Sequence, residues 1–256
     1  MLVDTVADYE TLSEKGAEKV AHLIHSKPDA VIGFATGSTP VGLYQRLVQL
    51  HENDGLDFSG ITTFNLDEYI GLSADHVQSY SYFMWRHLFS HINVTSAKVH
   101  LPDGMCDDID AHCAWYEEQI VAAGGLDMQI LGIGANGHLA FNEPGSSLGS
   151  RTRIKTLTTE TVHSNARFFD TADQVPKYAI TMGVGTIMEA RKLLLLASGS
   201  GKAAAIKATL EGPVTAMVPA TIVQLHRDAH TIIDEMAASQ LDYHHHDGIA
   251  ELKPKH

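Results

Sequence analysis

The stretch LGIGANGHLAFNEPG, residues 131–145, closes an apolar run that begins at Met128. The run is short and bounded by glycines, so it reads as a buried strand. Gly132, Gly134 and Gly137 then allow a sharp turn, and a histidine, an asparagine and a glutamate follow within a few residues. In an open α/β sheet the loop leaving the carboxyl end of a strand is where ligands bind. This loop carries His138, a side chain that trades protons near neutral pH, and Glu143 five positions on. The pattern therefore predicts an α/β fold with an active site here. The three glycines also satisfy the G-x-G-x-x-G spacing of a dinucleotide-binding turn, but that fingerprint requires a helix to begin there. Pro144 and Gly145 cut such a helix short, so neither a nicotinamide nor a flavin cofactor is expected.

Working outward, 256 residues with alternating strand and helix patterns favour one α/β domain over two. With 44% hydrophobic and 19% charged residues the chain has a globular composition. No apolar run approaches the ~20 residues of a membrane span. Asp4 and Asp8 stand where a basic export signal would begin, so the expected compartment is the cytosol. Cys106 and Cys113 are expected as reduced thiols on or near a helix rather than a disulfide or metal pair. A net charge of −13 argues against a nucleic-acid partner. A small anionic substrate is compatible with it if cations gather locally, and Arg151, Arg153, Lys155, Arg167 and Lys202 are available.

In chain order, Leu12, Gly16, Val20, Leu23 and Ile24 mark one face of a helix that ends near Pro28. A strand over 30–34 runs into Thr36-Gly37-Ser38-Thr39, with Thr39 expected as N-cap and Pro40 in the first turn of a helix. Such a turn presents backbone N–H groups to an anion, although an ordinary βα turn has the same look and no P-loop lysine is present. A strand over 61–66 ends in Asp67-Glu68, of which only one carboxylate can face a cleft if the strand continues. An acidic pair at a strand end can equally be a solvated turn. Residues 79–90 hold five aromatics at helical, core-packing spacing. A strand near 99–101 and a helix over 108–123 precede the central loop, and 159–169 is weakly helical. Strands are expected over 178–182 and 193–197, the latter entering Ser198-Gly199-Ser200-Gly201-Lys202 at the start of an alanine-rich helix. A lysine there opposes the helix dipole unless an anion sits nearby. Pro219 opens a short helix, 231–234 suits an edge strand, and His244, His245 and His246 lie in a polar tail, 243–256, set apart from a domain over 1–242. Consecutive histidines cannot all face one metal.

The segments ATGSTPVGLY, TTFNLDEYIGL, LGIGANGHLAFNEPGSS, SRTRIKTL, NARFFD, QVPKYAITMGVGTI and SGSGKA resemble, in the same order, those of the glucosamine-6-phosphate deaminase family. The resemblance implies a single-domain open, mostly parallel Rossmann-like sheet with helices on both faces. It also implies conversion of glucosamine 6-phosphate and water to fructose 6-phosphate and ammonium, with no organic cofactor and no metal. By the same resemblance His138 opens the sugar ring as acid and base, with Glu143 orienting it, and Asp67 moves a proton between the second and first carbons. Thr36, Gly37, Ser38, Thr39, Arg167 and Lys202 match positions that hold the phosphate.

Two positions depart from parts of that family. Asn136 stands where some members carry aspartate, so it can orient His138 or the sugar but cannot ionise. Ser146, Ser147, Arg153 and Lys155 match the N-acetylglucosamine 6-phosphate site of longer, hexameric members, while the tail differs from theirs, which leaves homo-oligomer formation and allosteric control open. Two other readings compete. A 6-phosphogluconolactonase-like hydrolase shares the loop up to the histidine but lacks Phe141-Asn142-Glu143-Pro144 and the FNLDEYIGL segment. A non-catalytic sugar-phosphate sensor would be expected to have lost Asp67, His138 or Glu143, or to carry a basic DNA-binding segment.

Overall fold

Short apolar runs flanked by polar turns bury both faces only inside a parallel sheet, and the computed structural model places them there. It describes residues 1–166, 169, 171, 174–246 and 249–252. In chain order the strands are β1 (Leu2–Val6), β2 (Val31–Phe34), β3 (Thr62–Asn65), β4 (Asp67–Tyr69), β5 (Val99–His100), β6 (Met128–Leu131), β7 (Arg153–Thr156), β8 (Tyr178–Thr181), β9 (Leu193–Ala197), β10 (Ala229–Asp234), β11 (Tyr243–His246) and β12 (Ile249–Leu252). The helices are α1 (Tyr9–Ser26), α2 (Val41–Asp54), α3 (Tyr80–His87), α4 (Ile109–Ala122), α5 (Thr159–Asn165), α6 (Val184–Met188) and α7 (Ala203–Glu211).

The main sheet has seven strands in the order β1-β10-β9-β6-β2-β3-β5, every pair of neighbours parallel. Alternation along the strands divides the core in two. Ile32, Phe34, Leu194, Leu196 and Ile232 meet the apolar stripes of α1 and α2, through Leu12, Val20, Leu43 and Leu47. Their neighbours Val31, Leu193, Leu195, Ala197 and Ile233 meet Tyr116 and Ile120 of α4, Ile187 of α6 and Ile206 of α7. Helices therefore cover both faces, as the resemblance implied, and among the described residues no helix is long and apolar enough to cross a membrane.

Several local expectations need correction. The segment over 231–234 is no edge: β10 lies between β1 and β9, and β1, which the sequence pattern did not mark, is the edge. α2 starts one residue late, with Pro40 rather than Thr39 in the N-cap position and no side-chain cap. The strand over 178–182 leaves the main sheet and forms, with β4 and β7, a separate antiparallel sheet in the order β4-β8-β7. The histidine run pairs as an antiparallel hairpin, β11 with β12, and no cluster of metal-binding side chains occurs among the described residues.

The chain reverses direction in strand order between β2 and β6, which are direct neighbours although three strands separate them in sequence. Loops leaving the two strands diverge there and open a crevice. Close packing beneath that crevice depends on Gly33, whose partner across the β2–β6 ladder is Gln129. A Cβ on Gly33 would lie 1.9 Å from Gln129 Oε1, and Gln129 is fully buried with its Nε2 donating to the Ile130 carbonyl at 2.8 Å. Gly33→Ala is therefore expected to destabilise the fold by about 1–3 kcal/mol, the usual penalty for overpacking. Urea unfolding checks this, and a second change, Gln129→Ala, should return part of the loss.

Candidate active site

The crevice at the end of the main sheet has a volume of about 650 Å³. Three βα loops meet in it, each held by specific backbone contacts. After β2, Thr36, Gly37, Ser38 and Thr39 line one wall, and Gly37 takes a φ of 104° that favours glycine. The loop is pinned from outside, because Tyr9 Oη donates to the Ser38 carbonyl at 3.0 Å and accepts from Gly42 N–H at 2.8 Å. After β9, Gly199 (φ 89°) turns the chain toward α7, and the buried Asp234 carboxylate accepts from Gly199 N–H at 3.0 Å and from Ser198 Oγ at 2.5 Å. That places Lys202, one residue before α7, on the crevice wall.

The loop after β6 supplies the titratable centre. Its imidazole rests directly on backbone: a Cβ on Gly134 would come within 2.2–2.4 Å of three His138 ring atoms. His138 Nδ1 lies 3.5 Å from Glu143 Oε2. That separation is longer than a tight hydrogen bond, and Nδ1 is buried with no hydrogen-bond partner among the described residues, so Glu143 is the ion-pair partner it faces. Nε2 is thereby the ring nitrogen left to a ligand. Asn136 completes the triangle, donating from Nδ2 to Glu143 Oε2 at 3.0 Å and accepting from His138 N–H at 3.2 Å. Ala140 adopts a φ of 51°, an uncommon state for a residue with a side chain. Clamps on both sides hold it: Asn142 Nδ2 donates to the Leu139 and Met182 carbonyls at 2.9 and 2.8 Å, and Phe141 N–H donates to Thr181 Oγ1 at 3.1 Å.

Glu143 is only 3% exposed. Burial pushes its carboxyl upward, but interaction with His138, the hydroxyl of Thr161 and the Asn136 amide together outweigh burial and bring it down to about 2. Thr161 Oγ1 donates to Glu143 Oε1, as does Thr158 Oγ1 at 3.3 Å. Both threonines come from α5 and its N-cap, a connection the sequence pattern did not reveal.

Asp67, 5% exposed, also lines the crevice. Burial raises its carboxyl well above the ordinary value, and the neighbouring Glu68 adds to the rise. Strand alternation separates the acidic pair as expected: Asp67 and Tyr69 line the crevice and Glu68 does not. Tyr80, read from sequence as a core aromatic, instead lines the crevice and stacks on Phe141, with ring centroids 5.9 Å apart.

Asp67, Asn136, His138, Thr36, Gly37, Ser38, Thr39 and Lys202 thus meet in one cavity, with Glu143 directly behind His138. Arg167 lies outside the described residues. Ser146, Ser147, Arg153 and Lys155 do not line this cavity. Ser146 is buried, its Oγ without a partner among the described residues, whereas Ser147 is exposed. Arg153 and Lys155 share the half-buried face of β7. The arrangement offers, in one crevice, an acid/base pair, a separate hard-to-ionise carboxylate, and the Thr36–Thr39 turn and Lys202 for an anion.

A carboxyl whose value falls from an ordinary 4.5 to about 2 on folding contributes stability that is fully present above about 4.5. That stability is lost as the pH falls through the folded-state value, with a limiting slope of about 1.4 kcal/mol per pH unit. Glu143→Gln cannot titrate. The difference in unfolding free energy between the native protein and this variant should therefore narrow as the pH is lowered from about 4.5 toward 2. Denaturant titrations across that range measure it, and a constant difference would contradict the ionised state assigned to Glu143.

Comparison with known proteins agrees with this geometry. Residues 4–233 match the family model described as glucosamine-6-phosphate isomerases/6-phosphogluconolactonase. The chain is 52% identical over 239 residues to a glucosamine-6-phosphate deaminase of Thermoanaerobacter sp. (strain X514), covering 93% of this chain and 94% of that protein. It is 47% identical over 234 residues to the glucosamine-6-phosphate deaminase of Clostridium perfringens (strain 13 / Type A), covering 91% and 97%. A solved structure of a monomeric glucosamine-6-phosphate deaminase superposes with a TM-score of 0.92 at 46% identity, covering 94% of this chain and 100% of that one. The 6-phosphogluconolactonase of Trypanosoma brucei, at 20% identity and a TM-score of 0.73 over 94% and 98%, shares the fold. By sequence and architecture alike, this chain belongs to the family of glucosamine-6-phosphate isomerases and 6-phosphogluconolactonases.

Proposed function

We propose that this protein is a glucosamine-6-phosphate deaminase, an enzyme that converts glucosamine 6-phosphate and water to fructose 6-phosphate and ammonium. The observation that carries the reading is that Asp67 and His138, with Glu143 behind it, line one crevice together with the Thr36–Thr39 turn and Lys202. His138 delivers a proton to the ring oxygen and removes one from the anomeric hydroxyl, and Glu143 stabilises the charged imidazole between those transfers. Asn136 fixes the geometry of both without adding charge. Asp67 then takes the proton from the second carbon and returns it to the first. Its burial supports that role, since a carboxylate held above its ordinary range is the stronger base. Water adds at the second carbon, and the nitrogen leaves as ammonium. The Thr36–Thr39 turn, Lys202 and Arg167 are assigned to the phosphate, by amides, a point charge and a guanidinium fork respectively.

The domain assigned to this reaction is 1–242, supported by the family match over 4–233, with 243–256 as an appended tail. The cytosol is the assigned compartment, supported by two unpaired thiols, Cys106 and Cys113. Ser146, Ser147, Arg153 and Lys155 are assigned to regulation by N-acetylglucosamine 6-phosphate, supported by the buried Ser146 hydroxyl and the shared face of Arg153 and Lys155.

One assay tests these assignments together. The protein is incubated with glucosamine 6-phosphate, and ammonium and fructose 6-phosphate are measured in parallel, with and without the acetylated sugar phosphate. Equal amounts of the two products are expected, and turnover of 6-phosphogluconolactone in their place would overturn the reading. Steady-state curves untouched by the acetylated sugar phosphate would dispose of the regulatory assignment alone. Asp67→Asn should lower kcat by roughly 100- to 10,000-fold, the range for loss of a general base, with KM within a few-fold because the phosphate site is elsewhere. Gly134→Ala should lower kcat/KM by about 100-fold or more without unfolding the protein, since its methyl group displaces the imidazole by an ångström or more.

A further inference from the structure

The strongest unassigned feature near the crevice is the second carboxylate of the acidic pair. Glu68 is 2% exposed and faces away from the cavity. Such a residue would ordinarily be excluded from a core, yet both of its oxygens are engaged. Oε1 accepts from Tyr69 N–H at 2.8 Å and from Tyr80 N–H at 3.0 Å, and Oε2 accepts from Ser81 N–H at 2.8 Å. Tyr80 and Ser81 are the first two residues of α3, whose N-cap is Ser79. The carboxylate therefore occupies the positive end of that helix and satisfies two of its orphan amides.

We propose that Glu68 is the positioning residue of the proton shuttle: it ties the strand end that carries Asp67 to the first turn of α3, fixing both the place of Asp67 and the negative charge beside it.

The tie has few substitutes. β4 is three residues long and its only ladder among the described residues is with β8, so Asp67 sits at the edge of a small sheet. α3 carries Tyr80, which packs on Tyr69 and Phe141 beside the crevice. Besides Glu68, the strand end and the helix are joined by the Tyr69–Tyr80 ring contact and a long hydrogen bond from Tyr80 Oη to Tyr69 Oη at 3.5 Å, which resist sliding poorly. The groups facing this pair from surrounding elements are Asp103 from the loop before α4, which disfavours further negative charge on Glu68, and the phenols of Tyr80 and Tyr116, both of which feel Asp67. His138 and Lys202 also line the crevice. Burial pushes Glu68 itself up to about 7 against the pull of its three amide donors. The charge beside Asp67 is thus one that appears as the pH rises through neutrality.

The inference rests on the deaminase reading, and two substitutions separate its parts. Glu68→Gln keeps the length and most of the reach but removes the charge. Glu68→Asp keeps the charge but is one methylene too short for the α3 amides. With glucosamine 6-phosphate as substrate, Glu68→Gln is expected to move the acid limb of the kcat profile to lower pH by half a unit or more. Glu68→Asp is expected to leave that limb in place and to lower kcat about tenfold or more, with KM within threefold. If Glu68→Gln does not fold, as judged by its circular dichroism, Glu68→Asp decides the positioning role alone. A Glu68→Asp variant with native kcat, or a folded Glu68→Gln variant whose profile superimposes on the native one, would overturn the inference while leaving the reaction intact. A native protein that releases no ammonium from this substrate would overturn the reaction and the role of Glu68 with it.

Discussion

A carboxylate taken out of water must be repaid in hydrogen bonds or opposite charge, and Glu143 shows where that requirement leads. Its donors and partners come from different parts of the chain: Asn136 and His138 from the loop after β6, Thr158 and Thr161 from the start of α5. Meeting the demands of one buried oxygen pair thus fixes the imidazole, the turn beneath it and the helix beside it. The stretch from Gly134 to Glu143 can tolerate Ala140 in a left-handed conformation because this network, together with Asn142, over-determines it.

The main sheet supplies the platform. β2 and β6 are neighbours with both faces buried, so the loops that leave them are rooted in the middle of the sheet. Asp67 reaches the crevice by another route, together with Tyr69 and Tyr80. The chain leaves the parallel sheet after Asn65, bonds Leu66 carbonyl to Met182 N–H at 2.7 Å, and resumes at Asp67 in the antiparallel sheet. The two halves of the proposed chemistry therefore stand on different sheets, and Leu66 is the joint between them.

Much of this was legible from residues alone. β6 and β9 matched their expected limits because uninterrupted apolar runs bounded by glycine or serine have one reading, and the helix stripes of α1, α2 and α4 were equally plain. The choice between Asp67 and Glu68 could be narrowed only to one of the two by alternation, and the family resemblance selected Asp67. What escaped was set by tertiary context. β1 contains Asp4 and Thr5 and has no strong apolar alternation, so only its pairing with β10 makes it a strand. β7, with Arg153 and Lys155, reads as a polar loop until β8 is beside it. The grip of Thr161 on Glu143 spans eighteen residues, which no local pattern encodes.

The pairing of Leu2 with His230 and of Val6 with Asp234 has a consequence for biosynthesis. β1 is made well before its partner, since the residues between Val6 and Ala229 take roughly 10–50 s to add at elongation rates of about 5–20 residues per second. During that interval β1 is an unpaired strand open to the wrong neighbour. Asp4, in its centre, is the kind of inward charge that discourages such pairing, and in the finished protein that same carboxylate lies 2.9 Å from His230 Nε2 and 3.6 Å from the Lys15 ammonium. The charge that disfavours mispairing of β1 is thus the one that, in the folded protein, ties this strand to His230 of β10.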